Sequence, residues 1–355
     1  MRIDDHERLT FCSNDYLGLA ADPRLAEAMC AGARQYGTGA GAAHLINGHF
    51  TPHQRLEEEL ADWLGVASAR LFSTGYMANL GVVGSLVGRG DTVIADRLNH
   101  ASLVDAVQLS GARLSRYRHR DLDDLEARLS RARGERLILT DGVFSMDGDT
   151  APLAELVELA ERFDAWLVVD EAHAFGVLGE QGRGSFEAAG QVPGERVLRV
   201  GTLGKAFGTA GAFVAGAAEP LEVLLQRART YLFTTAQPPA VAEASRAALP
   251  IVRSEGWRRE RLQGLIRGFR DATAALTGLE LMPSSTPIQP LVVGEASRAV
   301  GMAERLAQSG LLVPAIRPPT VPRGGSRLRV TFSAAHSEGD LRQLLLALQE
   351  CTTLE

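Results

Sequence analysis

The chain has 355 residues, of which 45% are hydrophobic and 23% are charged, and its formal net charge is −6. This composition is typical of a soluble globular protein, and the negative charge gives no electrostatic basis for binding nucleic acid or an anionic membrane. A chain of this length is expected to form one large domain and a smaller one. We therefore expect the function to lie in a pocket.

The cysteines and the start of the chain predict a reduced, cytoplasmic protein. Cys12, Cys30 and Cys351 have neither the number nor the spacing of a disulfide framework or a zinc site. The first ten residues are charged and lack the apolar segment of a secretion signal, and no apolar run reaches the roughly 18 residues that a membrane-spanning helix needs.

The first predicted elements are two helices separated by a loop. A turn-forming stretch at residues 11–20 precedes a helix that begins at Pro23, because proline is tolerated in the first helical turn. A glycine-rich loop follows, and apolar residues at three- and four-residue spacing predict a helix over residues 52–64. We interpret the loop as a backbone surface near the site, with a plain linker as the alternative.

The middle of the chain alternates short apolar strands with amphipathic helices, which predicts a mainly parallel sheet covered on both faces. The predicted strands are residues 69–72, 92–95, 136–140, 166–169, 197–201 and 212–215. Ligands of such sheets bind beyond the carboxyl ends of the strands. The site is therefore expected among the residues that follow, at 73–76, 96–100, 141–145, 170–173 and 202–205.

The last third of the chain predicts a smaller α+β domain. A long helical stretch is expected from Pro238 and Pro239 to about Leu276, followed by further elements at 288–293 (strand), 299–309 (helix), 311–316 and 327–332 (strands) and 340–348 (helix). The predicted division assigns residues 1–35 and 246–355 to the small domain and residues 36–245 to the large one.

Lys205 is the only lysine among the 37 Lys and Arg residues. An arginine stays protonated and has no free nucleophilic amine, whereas a lysine can lose its proton and condense with an aldehyde. The glycines of GTLGKAFG, residues 201–208, allow the backbone to approach a ligand closely. These features favour a Schiff-base role for Lys205 over the alternative, a lysine on a solvated loop.

Other strand ends carry residues that suit pyridoxal phosphate (PLP). At residues 73–79, STGYMAN, a helix begins after a strand and offers an anion site, with Gly75 allowing close approach and Tyr76 nearby. A simple strand-to-helix connection is the alternative. In VVDEAH, the acid Asp170 ends a buried strand and needs a cationic partner, which a protonated pyridine nitrogen supplies. A metal-binding acid beside a phosphate loop is disfavoured, since no GxxxxGK[ST] motif is present.

The motifs SNDYLGL, GYMAN, DRLNHAS, GVFSMDGD, VVDEAHAFGVLGEQGRG and TLGKAFG occur together. In this combination the chain resembles the α-oxoamine synthases, PLP enzymes of the aspartate aminotransferase fold, over residues 11–348. The string IRPPTVP is most similar to the oxononanoate branch, which serves biotin biosynthesis. The resemblance implies fold type I, with a large, mainly parallel seven-stranded sheet domain and a small α+β domain, in a homodimer with shared active sites.

The resemblance also implies which residues hold the cofactor. Lys205 is expected to form the Schiff base, Asp170 to bind the pyridinium nitrogen and His173 to bind the ring oxygen. His100 is expected to stack on the ring and to assist proton transfers of the substrate. The other implied cofactor-binding residues are Gly75, Tyr76, Ser145 and Thr202, with Thr234 and Thr235 reaching the phosphate from the other subunit.

The implied reaction is a decarboxylative condensation of L-alanine with a pimeloyl thioester, carried on CoA or on acyl carrier protein. Asn14 and Arg329 match positions that bind the amino acid carboxylate, and Thr320 matches a position lining the acyl site. Two alternatives remain open. One is another α-oxoamine synthase, glycine C-acetyltransferase-like or of specialised metabolism, with a different amino acid or acyl thioester. The other is a PLP-fold sensor or interaction module without catalysis.

Three departures from the family pattern are expected to bear on the substrate. Family members usually carry a longer N-terminal segment, including an arginine associated with the acyl substrate. Asp141 stands where a glutamate is expected, and this shortening is expected to weaken a hydrogen bond near the substrate. HAFG replaces the more usual HGTG after Asp170, which is expected to place the bulky Phe175 near the cofactor.

Overall fold

The computed structural model describes residues 2–3, 6–274 and 279–353. The chain divides into two compact units. The smaller unit consists of Met1–Gly18, Ser145–Asp149 and Glu255–Glu355, and the larger unit of Leu19–Phe144 and Thr150–Ser254. Both units are therefore assembled from separate pieces of the chain.

The helices and strands are numbered in chain order. The helices are α1 (Pro23–Tyr36), α2 (Thr51–Leu64), α3 (Gly75–Leu86), α4 (Ala101–Ser110), α5 (Leu122–Leu129), α6 (Leu153–Arg162), α7 (Ser185–Ala188), α8 (Ala218–Arg227), α9 (Arg229–Leu232), α10 (Pro239–Ser254), α11 (Trp257–Thr273), α12 (Ala296–Gln308) and α13 (Glu338–Thr353), with a π-helical turn at His44–Gly48. The strands are β1 (Arg2–Ile3), β2 (His6–Glu7), β3 (Leu9–Thr10), β4 (Ser68–Phe72), β5 (Thr92–Asp96), β6 (Arg113–Tyr117), β7 (Arg136–Asp141), β8 (Trp166–Asp170), β9 (Val197–Thr202), β10 (Ala212–Gly216), β11 (Glu280–Leu281), β12 (Ile288–Gly294), β13 (Leu311–Leu312), β14 (Ala315–Ile316) and β15 (Ser326–Thr331). Within the described ranges, no helix is both long enough and apolar enough to cross a membrane.

The larger unit is built on a seven-stranded sheet in the order β4–β10–β9–β8–β7–β5–β6. Strands β6, β5, β7, β8 and β9 are parallel to one another, and β10 pairs antiparallel with both β9 and the edge strand β4, so β4 has the same direction as the other five. This confirms the predicted fold class. The six predicted strands are present, and the seventh, β6, was missed because it lies at the sheet edge, where Arg113 and Arg116 are exposed and break the apolar pattern.

Two apolar layers cover the opposite faces of this sheet. Alternate residues of β5 divide between them, with Val93 and Ala95 in one layer and Ile94 in the other, and β8 divides in the same way. Helices α3, α4 and α8 complete the first layer, while α5 and α6 complete the second. Each fully buried Val, Leu or Ile side chain contributes about 1.5–3 kcal/mol by leaving water, so the buried strands hold the carboxyl-end loops on a rigid base.

The observed division of the chain differs from the predicted one at both boundaries. Helix α1 lies in the larger unit, where it packs on α10 so closely that a Cβ on Gly32 would come within 2.9 Å of the Ala240 Cα. The predicted long helix is two helices, α10 and α11, interrupted at residues 255–256. Its predicted end at Leu276 lies outside the described residues.

The smaller unit contains a four-stranded antiparallel sheet in the order β11–β12–β15–β14. The predicted strand at 311–316 is divided into β13, which pairs in parallel with the N-terminal β3, and β14, which pairs with β15. Pro314 separates them, because proline has no N–H to donate to a sheet ladder. The N-terminal residues are therefore part of this unit's sheet structure.

Candidate active site

The predicted site residues of the larger unit follow the carboxyl ends of its strands. Parallel strands end at one edge of a sheet, and this is where such folds bind ligands. His100 follows β5, Asp170 ends β8 with His173 just beyond it, and Lys205 follows β9. The structure thus brings these four residues to the same edge.

Lys205 contacts His173. The Lys205 Nζ lies 2.8 Å from the His173 Nε2, and His173 is buried. The loop holding the lysine is closed by bonds from Gly208 N to Lys205 O and from Thr209 N to Leu203 O, both 2.9 Å. Gly208 has a φ of +67°, and a Cβ there would lie 2.4 Å from backbone atoms, so this turn requires glycine. The only lysine side chain is therefore held in a fixed position beside a histidine.

A hydrogen-bond network joins Asp170 to His100 through Asn79. The Asn79 Nδ2 donates to the Asp170 Oδ2 (2.7 Å) and to the Ser102 Oγ (2.8 Å). Ser102 Oγ lies 2.8 Å from the His100 Nδ1, and Ala172 N donates to the Asp170 Oδ1 at 2.9 Å. Since Asn79 is buried, these bonds are shielded from water and fix the Asp170 carboxylate. Asn79 and Ser102 were not among the predicted site residues.

A second buried acid, Asp141, supports His100 from behind. Its Oδ2 accepts a hydrogen bond of 2.8 Å from the His100 backbone N–H. Burial, and then the negative charge of Asp170, hold the pKa of Asp141 well above its usual range. The shorter side chain that stands in place of the expected glutamate therefore reaches the backbone of the histidine loop, while burial favours the neutral form of the Asp141 carboxyl group.

The predicted phosphate-binding residues lie at the start of α3 and the end of β9. Open space surrounds Gly75 at the start of α3, where a Cβ would meet no atom within 4 Å. Thr202 Oγ1 donates to Gly211 O (3.2 Å) and accepts from Gly204 N (3.3 Å). Tyr76 is partly exposed, and its hydroxyl donates to Asp105. An anion can approach this helix N-terminus, where the helix dipole favours negative charge.

Two further predicted residues, Thr234 and Thr235, follow α9. Thr235 is exposed, and its carbonyl accepts a hydrogen bond of 3.3 Å from the Ser73 Oγ. Because Ser73 directly follows β4, this contact places residue 235 next to the start of the phosphate loop within the same chain. Their predicted role across a subunit boundary stays a prediction.

The remaining predicted residues belong to the smaller unit. Arg329 is buried and donates from Nε to Ser145 O (2.6 Å), from Nη1 to the Thr331 Oγ1 (2.9 Å) and from Nη2 to the Asn14 Oδ1 (3.4 Å). Arg329, Asn14 and Ser145, which the sequence placed in one site, are thus direct neighbours. Thr320 is exposed on the loop after β14, where its N–H donates to Arg317 O at 3.1 Å.

Phe175 packs inside the larger unit, and its expected place near the cofactor stays a prediction. Its ring is buried and stacks on Phe213 with centroids 5.3 Å apart, and the guanidinium of Arg199 lies 4.6 Å from its centroid. Arg199 in turn forms a buried ion pair with Glu171, at 3.0 Å. The Phe175 ring is therefore part of the packing that anchors the loop after β8. Its contacts with Phe213 and Arg199 explain why a large side chain is accommodated at position 175.

The chain matches the model of the family described as aminotransferase class I and II over residues 7–348. The chain belongs to this family. It is also 58% identical over 348 residues to 8-amino-7-oxononanoate synthase of Thioalkalivibrio sulfidiphilus, with 98% of this chain and 88% of that protein covered. This similarity confirms the predicted place among the α-oxoamine synthases.

Solved structures of related enzymes share the fold of this family member. A serine palmitoyltransferase variant from S. paucimobilis, solved with a bound PLP–myriocin aldimine, matches with a TM-score of 0.95 and 33% identity, covering 99% of this chain and 89% of that one. An 8-amino-7-oxononanoate synthase from Francisella tularensis matches with a TM-score of 0.86 and 31% identity, covering 98% of both chains.

The side chains present at the strand ends fit PLP. The site offers one amine for the aldehyde, at Lys205, and a buried carboxylate for the pyridinium, at Asp170. The open start of α3 can take the phosphate. Asn79 Oδ1 is buried without a hydrogen-bond partner, so the network around Asp170 still has a free acceptor. This donor set has the complementary charges and groups that the cofactor requires.

Proposed function

We propose that the protein is an 8-amino-7-oxononanoate synthase. It is a PLP-dependent acyltransferase that condenses L-alanine with a pimeloyl thioester and releases carbon dioxide and the thiol of the carrier, a step of biotin biosynthesis. The observation that carries the proposal is the 58% identity to a synthase of this name over nearly the full length. The geometry around Lys205 supports it, since Lys205, Asp170, His173 and His100 all lie at or just beyond strand ends of the same sheet.

Bound PLP supplies an aldehyde for amine exchange and a ring that accepts the electron pair freed at the substrate Cα. The residues of the chain do the rest. The Asp170 carboxylate, fixed by Asn79 and by Ala172 N, favours a proton on the ring nitrogen. Lys205 offers its Nζ for the covalent bond and, once displaced, removes the Cα proton. His173, 2.8 Å from Nζ, orients that amine.

The other proposed roles concern substrate binding. His100 stacks on the cofactor ring, with its loop held by Asp141 and Ser102. Gly75, Tyr76 and Thr202 hold the phosphate, together with Thr234 and Thr235 of a partner subunit in a homodimer. Arg329 and Asn14 bind the carboxylate of L-alanine; the guanidinium suits this because it presents several donors in a fixed plane. Thr320 contributes to the acyl site.

A second candidate is another α-oxoamine synthase, with serine palmitoyltransferase as the specific alternative. One observation favours it: the TM-score to that enzyme, 0.95, exceeds the 0.86 of the solved oxononanoate synthase. Backbone similarity reports the shared fold, however, and the same fold accommodates many substrates. The sequence identity of 58% against 33% therefore favours the oxononanoate assignment.

The test is an assay of the purified protein loaded with PLP. L-Alanine, glycine and L-serine are each combined with pimeloyl-CoA, pimeloyl-acyl carrier protein, acetyl-CoA and palmitoyl-CoA, and the product is identified by mass spectrometry. We expect 8-amino-7-oxononanoate from L-alanine with one or both pimeloyl donors. Product from L-serine and palmitoyl-CoA alone would replace this proposal with the second candidate.

A further inference from the structure

Three histidines to which no role has been given lie together in the larger unit. Ring nitrogens of His44, His49 and His53 are all within 4.8 Å of one another. His44 and His53 are buried and His49 is half-buried. Imidazole nitrogen is a preferred ligand of divalent zinc, copper and nickel, so the cluster can bind a metal ion where its nitrogens have no other hydrogen-bonding task.

His49 is held in the orientation of a metal ligand. Its Nε2 lies 3.3 Å from the Gln54 Oε1, which only accepts, so the His49 proton is on Nε2 and the Nδ1 carries a lone pair. Gln54 Nε2 in turn donates to the Glu58 Oε1 at 2.7 Å. Metal-bound histidines characteristically donate their other N–H to such an oxygen, which fixes the tautomer and the ring.

His44 presents its own Nδ1 to that lone pair. The two Nδ1 atoms are 2.8 Å apart. The His44 ring is stacked on Tyr231, with centroids 4.9 Å apart and planes at 11°, so Tyr231 covers the face of the ring and not its nitrogen-bearing edge. Metal binding at Nδ1 moves the His44 proton to Nε2, which is buried without a hydrogen-bond partner, so the N–H formed there is unsatisfied and lowers the affinity.

His53 is not available in the same way. Its Nδ1 accepts a 2.9 Å hydrogen bond from Phe50 N, and its Nε2 donates to Gln237 O at 2.8 Å. Both nitrogens are therefore occupied in fixing the start of α2. Its ring centroid lies 5.2 Å from that of His44 and 5.6 Å from that of His49, so it packs beside the pair.

We propose that His44 and His49 bind one divalent transition-metal ion, for which Zn²⁺ is the probe, through their facing Nδ1 atoms. Water molecules complete the coordination. Zn–N bonds of about 2.0–2.1 Å in a tetrahedral site separate two nitrogens by about 3.3 Å, so the pair opens by about 0.5 Å from its 2.8 Å contact. The half-buried His49 has room for this movement.

The expected affinity is micromolar. Two protein ligands give less binding energy than the four of a structural zinc site. The positive charge of the Arg70 guanidinium also acts on His49 and opposes a dication there. The bound ion would join the first residue of the π-helical turn to the residue that directly follows that turn.

The test is calorimetric titration of the PLP-loaded, chelator-dialysed protein with ZnCl₂. In the wild type and in His53→Gln we expect one zinc ion to bind per chain with a micromolar dissociation constant. In His44→Gln and in His49→Gln we expect the affinity to fall at least tenfold. Because all variants carry the cofactor, zinc bound by PLP itself appears equally in each. Circular dichroism and the melting temperature identify a variant that fails to fold.

Three results would overturn the site. One is that the wild type binds no zinc ion with a micromolar dissociation constant. Another is unchanged affinity in a folded His49→Gln variant. The third is loss of binding in folded His53→Gln alone, which would show that the ligands are wrongly assigned. A zinc-dependent rise in melting temperature in the wild type that is absent from His49→Gln supports the site independently of the calorimetry.

Discussion

Asn79 illustrates how one buried amide connects two reactive side chains. Its Nδ2 donates to both Asp170 and Ser102, and Ser102 contacts the His100 ring. A hydrogen bond to a charged group is worth about 1.5–3 kcal/mol. We therefore predict that Asn79→Ala weakens PLP binding about tenfold or more, measured by absorbance titration of the apo-enzyme. Ser102→Ala is the matched control, because it leaves the bond to Asp170 intact; equal PLP affinity in Asn79→Ala and wild type would contradict this role.

The covalent role of Lys205 is tested by replacing it with arginine. Lys205→Arg keeps the positive charge near His173 but has no amine that condenses with an aldehyde. Turnover is expected to fall by about a thousandfold or more, and borohydride treatment is expected to leave no cofactor on the peptide containing residue 205. Wild type treated in parallel serves as the control, since its only lysine is in that peptide. A reducible adduct in the variant would disprove the covalent role.

The sequence predicted some of these residues and not others for a physical reason. Lys205 and Asp170 were found because an isolated amine and an acid at the end of an apolar strand are chemically unusual. Asn79 and Ser102 are common residue types inside or at the start of a helix, where nothing local indicates burial. Their role depends on the packing of α3 beside α4, which no pattern along the chain reports.

Helix α2 carries a buried acid that makes stability depend on pH. Glu57 accepts a 2.9 Å hydrogen bond from Leu71 N on β4, and burial raises its pKa from 4.5 to about 7. Between these values the folded chain holds a proton that the unfolded chain has released, so stability falls as the pH rises from about 4.5 to about 7. Over this pH range the contribution of Glu57 to the free energy of unfolding changes by on the order of 3 kcal/mol.

Glu57→Gln is predicted to remove most of this dependence. The measurement is the free energy of unfolding in urea at about pH 5 and about pH 8, compared between variant and wild type. We expect the wild type to lose more stability over this interval than the variant. The comparison cancels the contributions of all other titrating groups, so an identical loss in both proteins would show that Glu57 is ionised when folded.

The strands that the sequence predicted in the interior of the sheet are buried along nearly their whole length. The interior strands β5, β7, β8 and β9 are apolar on both faces and were predicted within one or two residues. The edge strand β6 has a solvent-facing side, and the region from β13 to β14 is divided at Pro314, so neither showed a continuous pattern. The domain boundary was misplaced because the packing of α1 on α10 joins residues far apart in the chain.

The larger unit exposes apolar side chains that fit the proposed homodimer. Ile46 is 79% exposed and Phe233 is 71% exposed. The stacking of His44 on Tyr231 brings their two segments together. Adjoining exposed apolar side chains indicate a contact surface.

We predict that the wild type has twice the mass of one chain by light scattering and that the double substitution Ile46→Glu with Phe233→Glu shifts the measured mass towards that of a single chain. Val192→Glu is the matched control, since Val192 is 84% exposed; a monomeric wild type would contradict the prediction.

The pairing of β3 with β13 sets an order of events during protein synthesis. At about 5–20 residues per second, the ribosome needs roughly 15–60 seconds after Leu9–Thr10 to reach Leu311–Leu312. Every segment of the larger unit has been translated by Ser254. The nascent chain can therefore fold its seven-stranded sheet while β3 is still without its partner strand, β13. Premature termination before residue 311 would leave that leading segment as a permanent exposed edge and a target for chaperones or proteases.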